Sequence, residues 1–207
     1  GRFPGQYAFA ILSAFPVDST GIRTFRHFLW KDMPGASYPV DPETGQNYYS
    51  PEIWEIFRLS SKNHVDVPVI LPHGILHLLV AHPTPPAFDG PEDRNGKRNS
   101  DEIRFFTDYI TPGLRSEYIY DDKRTFGGLP ENQHFVIMGD MNADPADGDS
   151  YNHAIRQLLV HPSLHHLAAM EQFVPSSRGS YENALKNPRR NKDNLGNPWH
   201  DTSVWGL

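Results

Sequence analysis

Two apolar runs, HVDVPVIL and GILHLLVAH, follow one another between His64 and His82, with PHG between them. Short runs rich in Val, Ile and Leu, broken by proline and glycine, read as the two strands of a hairpin. Further on, NSDEIRFFTDYI repeats its apolar residues Ile103, Phe106 and Ile110 at helical spacing; Asn99 is placed to cap that helix, with Glu102 three residues later. HFVIM then reads as a short buried strand. Strand, strand, helix and strand in this order predict an α/β domain with a mixed sheet or paired sheets.

The remaining segments fit that frame. YAFAILSAFPV (Tyr7 to Val17) and FRHFLW read as two further strands. SPEIWEIFRLS reads as a short helix, with Ser50 as cap, Pro51 in its first turn and Ile53, Ile56 and Phe57 on one face. PTPPAFDGPEDRNGKR has no hydrophobic period and many turn formers, which predicts a surface loop. SYNHAIRQLLV reads as a helix with Ala154, Ile155, Leu158 and Leu159 inward, stopped by Pro162. No linker, repeat or low-complexity tract divides the 207 residues, so we expect one domain over 1–207.

Composition removes several function classes. There is no cysteine, which excludes disulfide frameworks, thiolate metal sites and cysteine nucleophiles. The net charge of −6 is unlike that of a tight, non-specific nucleic-acid binder. No apolar run approaches the roughly 20 residues of a membrane helix. The chain holds no Gly-rich nucleotide loop, no HExxH and no GxSxG.

The chemistry concentrates at FVIMGDMNADPADGDS. Four aspartates, Asp140, Asp144, Asp147 and Asp149, crowd the end of an apolar strand. Like charges this close repel, so a cation nearby or full solvation is needed. An EF-hand loop does not fit: Pro145 and Tyr151 stand where glycine and glutamate belong. Asp149 and Ser150 are placed to cap the following helix, and Asp144-Pro145 and Asp147-Gly148 are ordinary turn pairs. Asp140 and Asn142 directly follow the strand and a glycine, where layered α/β sheets place their sites. We expect Asp140 to be largely buried and Asp147 exposed. His82 likewise closes an apolar run, and a histidine can pass a proton near neutral pH. His77 reads as alternating outward on its strand, and His165 and His166 as lying on a helix surface. The basic stretch KNPRRNK, from Lys186 to Lys192, reads as a solvated loop.

Taken together, these residues resemble the endonuclease/exonuclease/phosphatase superfamily, which has the fold of pancreatic deoxyribonuclease. GDMNADPADGDS is similar to that family's GD-x-N motif in the form carried by a bacterial, extracytoplasmic branch. HPTPPAFDGPEDRNGKRNSDEIRFFTDYI and GQYAFAILSAFPV resemble the same branch. The resemblance implies a four-layer α/β/β/α sandwich of two packed mixed sheets flanked by helices, with the site at one end between the sheets. It implies hydrolysis of phosphate mono- or diesters by activated water with Mg²⁺, or with Mn²⁺ or Ca²⁺. Asp140 matches the aspartate that orients or deprotonates that water or helps bind metal, and Asn142 the asparagine that holds the scissile phosphate. His82 matches the histidine that donates to the phosphate or assists the leaving group. Asp201-Thr202, within HDTSVWG, resembles a later Asp-Thr pair with a structural role, and Asp144 reads as a group that supports the site from behind. A secreted or periplasmic location follows from the branch alone.

The likeness also implies an N-terminal strand ending in asparagine, a metal-binding glutamate and a C-terminal Asp-His pair, none of which this sequence shows. We therefore expect further sequence at both ends, and weak metal binding and hydrolysis from these 207 residues alone. The alternative is a non-catalytic module that binds a partner or a phosphorylated ligand. Nuclease, nucleotide phosphatase, phosphoinositide phosphatase and sphingomyelinase-like substrates are all compatible with the motif.

Overall fold

The structure is a computed structural model that describes residues 3, 5–170, 173–189 and 192–201. Strands β1 (Arg23–Thr24), β2 (His64–Leu71), β3 (Gly74–Ala81) and β4 (His134–Gly139) form one mixed sheet in the order β1-β2-β3-β4. β2 and β3 are the expected hairpin, antiparallel from His64 opposite Ala81 to Leu71 opposite Gly74. β4 runs parallel to β3, from His134 opposite Leu76 to Gly139 opposite Ala81. The parallel pairing requires a crossover, and the helix α2 (Arg94–Tyr109) lies within it.

Alternation divides the sheet into two unequal faces. Leu79 and Ala81 point to α2 and join Ile103, Phe105, Phe106 and Tyr109 in the main core. Burial of each such aromatic ring contributes roughly 2–3 kcal/mol. The opposite face carries a smaller cluster of Val65, Val67 and Val80, partly covered by Phe9 and Ile11. There Val136 and Met138 stay 40% and 44% exposed.

The α/β class is as expected, and the described residues form a single sheet. The Tyr7 to Val17 run is not a strand: Val17 makes one isolated bridge to Val69, and Leu12 is 94% exposed. Pro16 has no N–H to give a ladder, although its carbonyl accepts from Ile70 N–H at 2.8 Å. FRHFLW is a turn leading into a 3-10 helix, because its buried residues Phe25, Phe28 and Trp30 do not alternate. β4, expected to be buried, pairs among the described residues with β3 alone and has a half-exposed outer face.

The helices are corrected in detail. α1 (Pro51–Ile56) is capped by Ser50, which accepts from Ile53 N–H, yet Ile53 and Ile56 face solvent. Trp54 packs inward instead, against Trp30 and Tyr38, and Phe57, just past the helix, packs on Tyr49. α2 starts at Arg94, five residues before Asn99, so Asn99 and Glu102 lie buried inside the helix and do not cap it. The SYNHAIRQLLV helix is broken: a 3-10 turn (Tyr151–His153) that contains left-handed Asn152 and His153 precedes α3 (Arg156–Leu159). Ala154 and Leu158 are buried as expected. Two short helices, α4 (His166–Met170) and α5 (Arg178–Lys186), complete the elements of the described residues.

Candidate active site

The parallel pairing of β3 and β4 ends both strands at one rim of the sheet. Their last residues, Ala81 and Gly139, are register partners, so His82 and Asp140 emerge side by side. His82 Nε2 lies 3.7 Å from Asp140 Oδ2. The glycine before the aspartate is a steric necessity: Gly139 has φ of 135°, and a Cβ there would meet the Ala81 carbonyl. Asn142 sits in the left-handed region with φ of 48°, which asparagine tolerates. Its backbone N–H donates to Asp140 Oδ1 at 3.1 Å, and its Nδ2 donates to the Pro83 carbonyl at 3.2 Å. His82, Asp140 and Asn142 thus form one cluster, with the ring of Tyr7 edge-on to His82.

Asp140 is not buried: its side chain is 53% exposed, because it leaves the sheet at a rim that no described element covers. Among the described residues, the ion pair of His82 is with Asp140 and not with Asp144 or Asp201. Asp144 Oδ1 accepts from Ala146 and Asp147 N–H, closing its own turn. Asp147 is half-buried where exposure was expected, since it accepts from Leu195 and Gly196 N–H and pins the C-terminal segment. Asp201 is held above the usual carboxylate range by burial and then by the charges of Asp144 and Asp147. Thr202 lies outside the described residues. Ser150 occupies a cap position without a side-chain cap bond, and Asp149 is exposed. His77 is turned inward, with Nδ1 on Asp66 at 2.8 Å, and His165 and His166 are exposed.

Sequence reasoning missed the groups that brace this rim. Asn99 Nδ2 donates to the carbonyls of Thr84 at 2.8 Å and Met141 at 2.9 Å, so one side chain of α2 ties the loop after β3 to the loop after β4. One turn on, the fully buried Glu102 accepts from Ser61 N–H at 2.7 Å and Thr84 N–H at 2.5 Å. Lys62 donates through Nζ to the Pro83 carbonyl at 2.8 Å. The available signal was polar residues on the inward face of a helix, which the capping pattern of Asn99 and Glu102 obscured.

The chain belongs to the endonuclease/exonuclease/phosphatase family, whose family model matches residues 1–205. Members of this family hydrolyse phosphoester bonds and are typically dependent on a divalent metal. No curated protein and no solved structure matches the chain. Among the described residues no group of three or more histidine or acidic side chains is gathered to hold a metal. Asp140 offers a solvent-facing carboxylate, and Mg²⁺ binds through one or two such oxygens plus water and substrate phosphates. The fit is therefore to a shared site that one protein carboxylate helps to build.

Proposed function

We propose that this protein is a divalent-metal-dependent phosphoesterase that hydrolyses phosphate mono- or diesters by attack of an activated water. The observation that carries this reading is the convergence of His82, Asp140 and Asn142 at the paired ends of β3 and β4. Asp140 accepts a proton from, or orients, the attacking water at the open rim. Asn142 offers an amide N–H to a phosphate oxygen, and its backbone bond to Asp140 keeps the two in register. His82 donates to the phosphate or to the departing oxygen. Donors fixed where charge develops lower the barrier without reorganising at the moment of reaction. Mg²⁺, or Mn²⁺ or Ca²⁺ in its place, would be held through Asp140, and when bound it neutralises phosphate charge.

In the finer reading, the half-open face of Val136 and Met138 carries the second sheet of a four-layer sandwich. We take residues 1–207 as belonging to one domain of that kind, in a bacterial protein acting outside the cytoplasm, with nucleic acid among its candidate substrates. The test is hydrolysis of bis-p-nitrophenyl phosphate by the full-length protein. Turnover that needs Mg²⁺ and stops with a chelator supports the reading. Phosphate binding without turnover points to a non-catalytic module, and neither binding nor turnover removes the reading.

A further inference from the structure

We propose that Lys62 is a substrate-binding residue that supplies a fixed positive charge to the phosphate at this rim. The inference rests on the phosphoesterase reading and deepens it. Lys62 stands at the entrance to β2, two residues before His64, and its stem is partly buried. An ammonium has three donors. The acceptor it meets among the described residues is the Pro83 carbonyl at 2.8 Å. No carboxylate among them lies within ion-pair distance of it; the charges of Glu102 and Asp140 attract it from further off. Partly buried charges are ordinarily paired, and an unpaired one is costly. A bound phosphate would remove that cost.

Position supports the assignment. Asn142 Nδ2 donates to the same Pro83 oxygen, so the ammonium and the amide lie within a few ångströms of each other. Pro83 directly follows His82. The rim therefore presents a cation and an amide on one carbonyl, and Asp140, which accepts from Asn142 N–H, lies 3.7 Å from the His82 imidazole. Glu102 holds both Ser61 and Thr84 N–H, the neighbours of Lys62 and Pro83, and so fixes the ammonium relative to the imidazole. Burial depresses the Lys62 pKa, while the charges of Glu102 and Asp140 oppose that depression.

The test is calorimetric titration of inorganic phosphate, in the presence of Mg²⁺, into the native chain and into Lys62→Met and Lys62→Arg. Lys62→Met keeps the stem and removes the charge; it should weaken phosphate binding about tenfold or more, as expected for loss of a charge-assisted bond. Lys62→Arg should stay within about threefold. Binding by Lys62→Met should also lose part of its dependence on salt, because one screened charge is gone. A merely structural prop for Pro83 would weaken binding equally at every ionic strength. Should Lys62→Met fold poorly, comparison of Lys62→Arg with Lys62→Gln reads the same charge dependence. A native chain that binds phosphate no better than Lys62→Met does overturns the role of Lys62 and leaves the phosphoesterase reading standing. A native chain that neither binds phosphate nor hydrolyses a phosphodiester overturns both.

Discussion

The carbonyl oxygen of Ala81 lies 1.9 Å from where a methyl group on Gly139 would sit. The contact joins the final residues of β3 and β4, one step before His82 and Asp140. Gly139→Ala must relieve that overlap and leave the positive φ, which together cost on the order of 3 kcal/mol. We expect a lower melting temperature by thermal denaturation and loss of the site, with more damage to activity than to the rest of the fold.

The brace from α2 gives a second prediction. Glu102 accepts two backbone N–H groups with its two oxygens. Glu102→Gln has a single acceptor oxygen, so one N–H must face an amide NH₂. Leaving a buried donor unsatisfied costs about 1–3 kcal/mol, more where a charged partner is lost. Urea denaturation should show the loss, and the phosphate affinity set by Lys62 and His82 should fall with it. A variant as stable as the native chain would show that the clamp carries little weight.

A third prediction concerns pH. His64 is fully buried, and burial holds its pKa below the ordinary 6.5. Its Nε2 faces the Glu102 carbonyl, which can only accept, so the neutral ring carries its proton there and takes the Ser60 hydroxyl bond at Nδ1. With the folded pKa depressed, the unfolded chain binds more protons as pH falls through 6.5. Stability should therefore decline below that pH, measured as melting temperature against pH. His64→Gln should be less stable at neutral pH and show a shallower acid slope. An unchanged slope would mean that His64 is not the group responsible.

The features legible in the sequence were those set by local chemistry. The hairpin through PHG, the Ser50 cap and the paired emergence of His82 and Asp140 follow from apolar runs that end abruptly. What was not legible depended on distant packing. Tyr7 to Val17 alternates like a strand, but no ladder accepts it beyond Val17. Asn99 and Glu102 imitate a helix start because a capping box and an inward polar face share the same spacing of three. The exposure of Asp140 depends on what covers the rim, which no local pattern encodes.

The central claim is most directly tested by Asp140→Asn in the full-length protein, which keeps the size of the side chain and the acceptor for Asn142 N–H while removing the charge. Steady-state release of p-nitrophenol from bis-p-nitrophenyl phosphate with Mg²⁺ should fall by about a thousandfold, the scale expected when a group acting as part of a catalytic unit is lost, with the melting temperature almost unchanged. Equal turnover by the Asp140→Asn variant and the unaltered full-length protein would contradict the placement of the site at the paired ends of β3 and β4.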